Sequence, residues 1–148
     1  GGGPEALTDG FLAGTDYHDS AWQGYDNGAL LVTIDLGESR PIERVKARFL
    51  QHVAAGIFAP LRVVLELSSN GTDFERAAAV RPEVPERTPG PLIQEVVLEA
   101  AGKPARFARL RAAGLGTIPA WHTGAPGAKA WLFIDEVIVN QKQDPPIK

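Results

Sequence analysis

The stretch Leu61–Val80, LRVVLELSSNGTDFERAAAV, decides the fold class of this chain. From Leu61 to Leu67 apolar residues occupy every second position, which is the period of a strand with one buried face. Asn70-Gly71 follows, and this dipeptide favours a tight turn between paired strands. Phe74–Val80 is then predicted to return as the second strand, so the stretch is a β-hairpin.

Working outward from this hairpin, other segments have the same character. They are short, rich in apolar and β-branched residues, and bounded by Gly or Pro, and the Gly102-Lys103-Pro104 turn is expected to separate two of them. No segment of about twelve residues has a helical stripe. The further predicted strands are Leu30–Leu36, Ile42–Gln51, Leu92–Ala100, Arg106–Ala113 and Trp131–Val139. The pattern predicts an all-β sandwich of about eight antiparallel strands, and Gly14–Asp26 is expected to hold no regular element.

Bulk properties narrow the function classes. The chain has 148 residues, 44% hydrophobic and 22% charged, which suits one globular domain over residues 1–148. Cysteine is absent, so no disulfide can form. A net charge of −3 without a basic cluster argues against nucleic-acid binding. The sequence contains no run of eighteen apolar residues, so it predicts no membrane span.

The two ends have the character of connections. Gly1–Pro4 lacks the features of a signal peptide and is interpreted as a cloning remnant. Gln141–Lys148 is interpreted as a linker or frayed tail. We therefore expect the domain to be a piece of a longer, exported protein.

Several motifs together resemble a known family. The chain resembles the discoidin-like (F5/8 type C) domains, which have a galactose-binding-like jelly-roll fold and include the bacterial carbohydrate-binding modules of family 32. It is most similar to the C-terminal accessory domain of bacterial family 20 β-N-acetylhexosaminidases. One departure is Thr123, where that resemblance leads us to expect Pro. The motifs are LTDG at Leu7–Gly10, SAWQGY at Ser20–Tyr25, VTIDLGESRPIERV at Val32–Val45, LELSSNGTDFE at Leu65–Glu75, ARFARLRA at Ala105–Ala112 and WHTGAPGAKAWLFIDEVIV at Trp121–Val139.

The resemblance implies a structural Ca²⁺ site between the N-terminal loop and the last strand. Ca²⁺ takes six to eight hard oxygen ligands, and irregular loops supply carbonyl oxygens. The implied ligands are Asp9, Ser20 and Glu136, with Asp16 or Asp19 in place of an expected ligand. The alternative is that Asp9 caps a turn and that Glu136 pairs with Arg109 or Arg111.

The second expected site is a glycan-binding surface. Sugars are bound by aromatic faces together with a few polar groups that contact their hydroxyls. The loop near Phe58 is expected to add an apolar wall. The predicted ligand-binding residues are Trp121, His122 and Lys129 from one loop and Trp22, Tyr25 and Asp26 from another.

Each aromatic residue also has a purely structural interpretation. Core packing is the alternative for Trp22 and the preferred interpretation for Trp131. The whole surface could instead dock on a catalytic domain. A discoidin domain that binds protein or lipid headgroups needs exposed apolar loop tips, and only Ile57-Phe58 is a candidate for one.

Catalysis is not expected. Asp135-Glu136 resembles a catalytic carboxylate pair, but adjacent residues of a regular strand point to opposite faces, so one should face inward or toward the metal and the other outward. The chain is too short for a (β/α)₈ barrel. His18-Asp19-Ser20 contains triad residue types without triad geometry.

The sequence therefore predicts a non-catalytic carbohydrate-binding accessory module of an exported glycoside hydrolase. The expected ligands are N-acetylhexosamine or galactose-type glycans, and the expected location is extracellular or periplasmic. The other hypotheses are a structural domain that binds no sugar and a protein- or lipid-binding discoidin domain.

Overall fold

The computed structural model describes residues 23–25, 29–82, 88, 90–122, 124 and 126–140. This part of the chain holds six β-strands and one 3₁₀ turn, Val53–Ala55. Every strand pairing is antiparallel. The strands are β1 Gln23–Tyr25, β2 Ala29–Gln51, β3 Arg62–Ser68, β4 Glu75–Val80, β5 Leu92–Ala113 and β6 Leu132–Val139.

Two long strands, β2 and β5, build a sandwich from what is formally one sheet of order β1-β6-β2-β5-β3-β4. The first part of β2 pairs with the last part of β5, and β3 and β4 extend this first layer. The last part of β2 pairs with the first part of β5, and β6 and β1 extend this second layer. Counting β2 and β5 once in each layer gives four strands per layer, so the predicted jelly-roll β-sandwich is confirmed.

Both long strands bend where they pass from one layer to the other. In β2 the bend contains Gly37, at φ 84°, whose N–H donates to Asp35 Oδ1 at 2.8 Å. In β5 it contains Ala101 and Gly102, both with positive φ. The register between the two strands shifts at these residues, first between Asp35 and Arg40 and again between Ile42 and Arg44. The turn predicted at 102–104 is therefore wrong, because the two strands bend together and stay paired through it.

The core lies between the layers and follows the predicted alternation on β3 and β5. On β5, Ala108, Leu110 and Ala112 are buried, while Phe107 and Arg109 face outward. Leu61, predicted to share the buried face of β3, is mostly exposed because β3 begins only at Arg62. The most completely buried core side chains are Ile42, Phe49, Val63, Leu65, Leu98 and Ile134.

The described residues before β2 depart from the prediction. Gln23–Tyr25 lies within the stretch expected to be irregular, yet it forms the edge strand β1 along β6. Backbone pairing with β6 thus outweighs the weak strand propensity of these residues. No helix within the described residues is long and apolar enough to cross a membrane.

The neighbours Leu98 and Val97 on β5 test this alternation. Leu98 is fully buried, whereas Val97 is 42% exposed on the outer face. We expect Leu98→Ala to lower the free energy of unfolding by about 2–5 kcal/mol, because it leaves a cavity in the core. Val97→Ala is the matched control and should cost less than about 1 kcal/mol. Urea denaturation of both variants measures the difference, and equal losses would contradict the assigned faces.

Candidate functional site

The side chain of Gln51 organises one end of the sandwich. It is buried at the end of β2, where the core-facing alternation of Ala47 and Phe49 would place an apolar residue. Its Nε2 donates to the carbonyl oxygen of Thr88 at 2.7 Å, and its Oε1 accepts from the N–H of Ala59 at 3.1 Å. One amide therefore fastens two loops to the end of the core.

Gly90 packs against the same point. Its φ is +73°, and a Cβ built there would lie 2.2 Å from the carbonyl oxygen of Gln51. Only glycine fits this backbone without displacing the end of β2. The loop before β5 therefore reaches the site because residue 90 has no side chain.

His122 fastens the third loop. It is buried, its Nε2 lies 2.7 Å from the carbonyl oxygen of Val53, and its Nδ1 accepts from the N–H of Gly124 at 3.1 Å. Because a carbonyl oxygen can only accept, Nε2 carries the proton and donates to it. Both ring nitrogens are thus engaged within the chain, and His122 positions the loop that it shares with Trp121.

Trp121 lies beside this anchor at the edge of a pocket. Its half-buried ring packs on buried Phe58, edge to face at a centroid distance of 6.3 Å, and on His122 at 6.3 Å. The pocket has a volume of about 350 Å³. It is lined by His52, Val53, Ala54, Gly90, Trp121, His122 and Gly124.

Among the predicted ligand-binding residues that the structure describes, only Trp121 and His122 come together at this pocket. Lys129 is exposed in the same loop, where it forms a bridge with Thr117, but it does not line the pocket. Tyr25, on β1 of the second layer, lies elsewhere and lines a groove formed mainly by first-layer strands; burial raises the pKa of its phenol. Trp22, Asp26, Asp9, Asp16, Asp19 and Ser20 lie outside the described residues.

Three sequence interpretations of apolar residues need correction. Ile57 and Phe58 are 1% and 2% exposed, so they form no apolar spike for a membrane or protein partner. Phe58 supports Trp121 from below instead of forming a wall. Trp131 is 39% exposed and stands edge to face on Phe133 at 6.0 Å, so its predicted core role is also wrong.

The two adjacent carboxylates lie in a β-bulge. Ala47 pairs with Val137 and Phe49 with Ile134, so Asp135 and Glu136 together oppose the single residue Arg48. A bulge of this kind suspends the strict alternation of faces. Asp135 and Glu136 are 0% and 2% exposed, which corrects the expectation that one of them faces outward.

Their neighbours separate their roles. Asp135 Oδ2 lies 3.1 Å from Nη1 of Arg48, which is itself buried, and an ion pair in this setting is a structural contact. Glu136 does not pair with Arg109 or Arg111, because both arginines bind Glu66 in the first layer, at 3.0 and 2.6 Å. Within the described residues, no group of three His, Asp or Glu side chains is arranged to hold a metal.

Sequence reasoning missed Gln51, Val53 and Gly90. Gln51 carried a usable signal, since it is an amide at a period-two core position at the end of a strand. Val53 and Gly90 carried no such signal, because Val53 contributes only its backbone carbonyl oxygen and Gly90 matters only because it has no side chain.

The ion pairs of Glu66 with Arg109 and Arg111 make a pH-dependent contribution to stability. The hydrogen bond from Arg109, joined by one from Arg111, lowers the pKa of Glu66 below its ordinary value of 4.5, against the opposing effect of burial. A carboxylate whose pKa is lowered on folding stabilises the folded state. This stabilisation is complete at pH values above the unfolded-state pKa, and it is lost as the pH falls through the folded-state pKa.

We therefore expect Glu66→Gln to reduce stability more at about pH 7 than at about pH 3, because part of the stabilisation by the charged carboxylate is already lost at the lower pH. Urea denaturation at the two pH values measures this change. Glu75→Gln, which removes an exposed carboxylate of β4, is the control for losing a negative charge alone. A loss in Glu66→Gln that does not change with pH would contradict the assignment.

Comparison with known proteins now defines the fold. No protein-family model and no curated protein sequence matches the chain. The C-terminal domain of a chitobiase from Bacteroides fragilis aligns with TM-score 0.50 and 18% identity, over 91% of this chain and 77% of that domain. A CBM32 module from a family 31 glycoside hydrolase of Clostridium perfringens gives 0.56 and 12%, over 93% and 84%.

A Streptococcus pneumoniae fucose binding module aligns with TM-score 0.53 and 11% identity, over 95% of this chain and 85% of that chain. At such identities the likeness shows the fold and leaves the ligand undetermined. The chain therefore has the β-sandwich fold of the CBM32 and discoidin-like modules, as its motifs predict.

Proposed function

We propose that this domain is a non-catalytic carbohydrate-binding accessory module of an exported glycoside hydrolase. The observation that carries the proposal is the half-buried Trp121 ring at the edge of a 350 Å³ pocket between three fastened loops. The fold supports it, because solved domains with this fold include a CBM32 module of a glycoside hydrolase and a fucose binding module.

Binding would rest on one apolar face and a few polar groups. The C–H face of a pyranose packs on an indole ring, and the hydroxyl groups then exchange hydrogen bonds with the pocket wall. His52 and the backbone at Gly90 and Gly124 provide such groups. Because His122 holds the Trp121 loop through Val53, the ring is already in place before a ligand arrives, which lowers the ordering cost of binding.

The positions of the adjacent carboxylates on β6 favour a structural role for them over a catalytic one. The only adjacent carboxylate pair in the described residues is buried in the β6 bulge, and Asp135 is engaged with Arg48. A module that binds weakly can still serve an enzyme, since tethering raises the local concentration of the catalytic domain at a polymeric glycan. The parent would act on N-acetylhexosamine or galactose-type glycans outside the cytoplasm, in the extracellular space or periplasm.

Trp121→Ala tests the sugar site. A glycan array identifies the best neutral oligosaccharide, and calorimetry then compares the variants with that ligand. We expect Trp121→Ala to weaken binding about tenfold or more, because it removes the apolar platform. Trp121→Phe should keep most of the affinity, since it retains an aromatic face.

Trp131→Ala is the matched control, because it removes a partly exposed indole outside the pocket. Its affinity for the sugar should stay close to that of the unaltered domain. Absence of sugar binding at millimolar concentration, or full affinity in Trp121→Ala, would defeat the proposal.

A structural Ca²⁺ ion is the second part of the proposal. Glu136 is a buried carboxylate two residues beyond Ile134, which pairs with Gln23 at the start of β1. A buried carboxylate is compatible with a hard cation beside it. The other proposed ligands are Asp9, Asp16 or Asp19, and Ser20.

Chelation tests the ion. We expect EDTA to lower the melting temperature, because a bound ion stabilises the folded state by mass action, and excess Ca²⁺ should restore it. Glu136→Gln should melt at the same temperature with and without EDTA. An EDTA-independent melting temperature of the unaltered domain would remove the ion from the proposal.

One observation favours a second function, docking on a catalytic domain. Trp131 is 39% exposed and stands edge to face on Phe133 at one end of the second layer. Exposed apolar groups on one side of an accessory domain suit contact with a neighbouring domain. A Trp131→Ala variant of the parent enzyme that loses domain contact but keeps sugar binding would favour this function for that surface.

A further inference from the structure

A groove on the outer face of the first layer lies apart from the Trp121 pocket. It has a volume of about 670 Å³ and shares no lining residue with that pocket. It runs over the middle of β3, between the exposed side chain of Leu31 on one side and Arg76 of β4 on the other. Its floor is Val64.

The groove is cationic although the chain carries a net charge of −3. Arg62, Arg76 and Arg111 line it, against a single carboxylate, Glu66. Glu66 is already held by Arg111 at 2.6 Å and by Arg109 at 3.0 Å. Within the described residues, Arg62 and Arg76 form no ion pair, so their charges are available to a ligand.

Strand register fixes how the arginines are arranged. Arg111 pairs with Val64, and Leu31 pairs with Arg111, so these residues form one row across the layer. Arg76 pairs with Glu66 in the next row. Arg62 lies four residues before Glu66 on the same face of β3, about 13 Å away along the strand.

The groove surface between the cations is apolar. Leu31 is 58% exposed, which is the largest exposed fraction among the big hydrophobic side chains of the described residues. Tyr25 closes the groove on the side of β1, where its ring is partly packed against the core. A ligand that fits must combine negative groups with a weakly polar body.

We propose that this groove binds an oligosaccharide that carries carboxylates, such as a chain of uronic acid units. Guanidinium groups bind carboxylates with two parallel hydrogen bonds, and Arg62 and Arg76, at opposite ends of the groove, suit two acidic units that are separated along one chain. The C–H faces of the rings pack on Leu31 and Val64. The choice of a sugar over an acidic peptide rests on the proposed function, whereas the anionic character rests on the arginines alone.

The test uses the full chain and a tetramer of galacturonic acid, with a neutral galactose tetramer and a glutamate tetrapeptide as comparison ligands. We expect millimolar or tighter binding of the galacturonate by calorimetry. Arg62→Ala/Arg76→Ala should weaken it about tenfold or more, and salt at about 0.5 M should weaken it too, because exposed charges are screened. Trp121→Ala should leave it unchanged.

Arg40→Ala/Lys103→Ala is the matched control. It removes the same charge from the bend of β2 and β5, where these residues lie near each other and away from the groove. This variant should bind the galacturonate like the unaltered chain, and equal melting temperatures check that both double variants fold.

Three results would overturn the proposal. They are no galacturonate binding, undiminished binding by Arg62→Ala/Arg76→Ala, and glutamate or neutral tetramers binding as tightly as galacturonate. The neutral-glycan measurement on Trp121→Ala fails or succeeds independently, so failure of this groove is distinguishable from failure of the proposed function.

Discussion

The continuous pairing of β2 with β5 is the constraint on which the rest of the structure depends. These two strands stay hydrogen-bonded while passing from one layer of the sandwich to the other. Each layer therefore begins from the same pair, and β3 and β6 need only one edge each on which to add. The bend at Gly37 and Gly102 lets one pair serve both layers, because positive φ turns the backbone without ending the strand.

The two-layer arrangement also determines where the pocket and the arginine groove lie. The loop that follows β2 and the loop that precedes β5 meet at one end of the sandwich. The side chain of Gln51 binds both loops there. His122 then adds the loop before β6. The sites thus differ in origin, since the pocket is built by fastened loops while the arginine groove is built by strand register alone.

The bulge on β6 illustrates how a local irregularity changes the meaning of a motif. In a regular strand Asp135 and Glu136 would face opposite ways, and one would reach solvent. Opposite Arg48, the bulge keeps both buried and gives Asp135 a cationic partner. A pair that resembles catalytic carboxylates is therefore part of the framework between β2 and β6.

Sequence periodicity determined the strand faces, the hairpin at Asn70-Gly71 and the sandwich class, because an alternation of two is a local property of the backbone. The motif resemblance likewise led to the correct fold. The continuity of β5 through residues 102–104 was not predictable, since turn residues allow a bend or a reversal and only the paired strand selects between them.

For the sites, the sequence by itself predicted that Trp121 and His122 are ligand-binding residues of one loop, without distinguishing their roles. Only the tertiary structure decided that His122 is an anchor, that Tyr25 belongs to a different groove, and that Trp131 is partly exposed. The physical reason is that burial and partnership arise from contacts between segments far apart in the chain. Gln51 with Ala59 and Thr88, and Val53 with His122, are such contacts, and no local pattern encodes them.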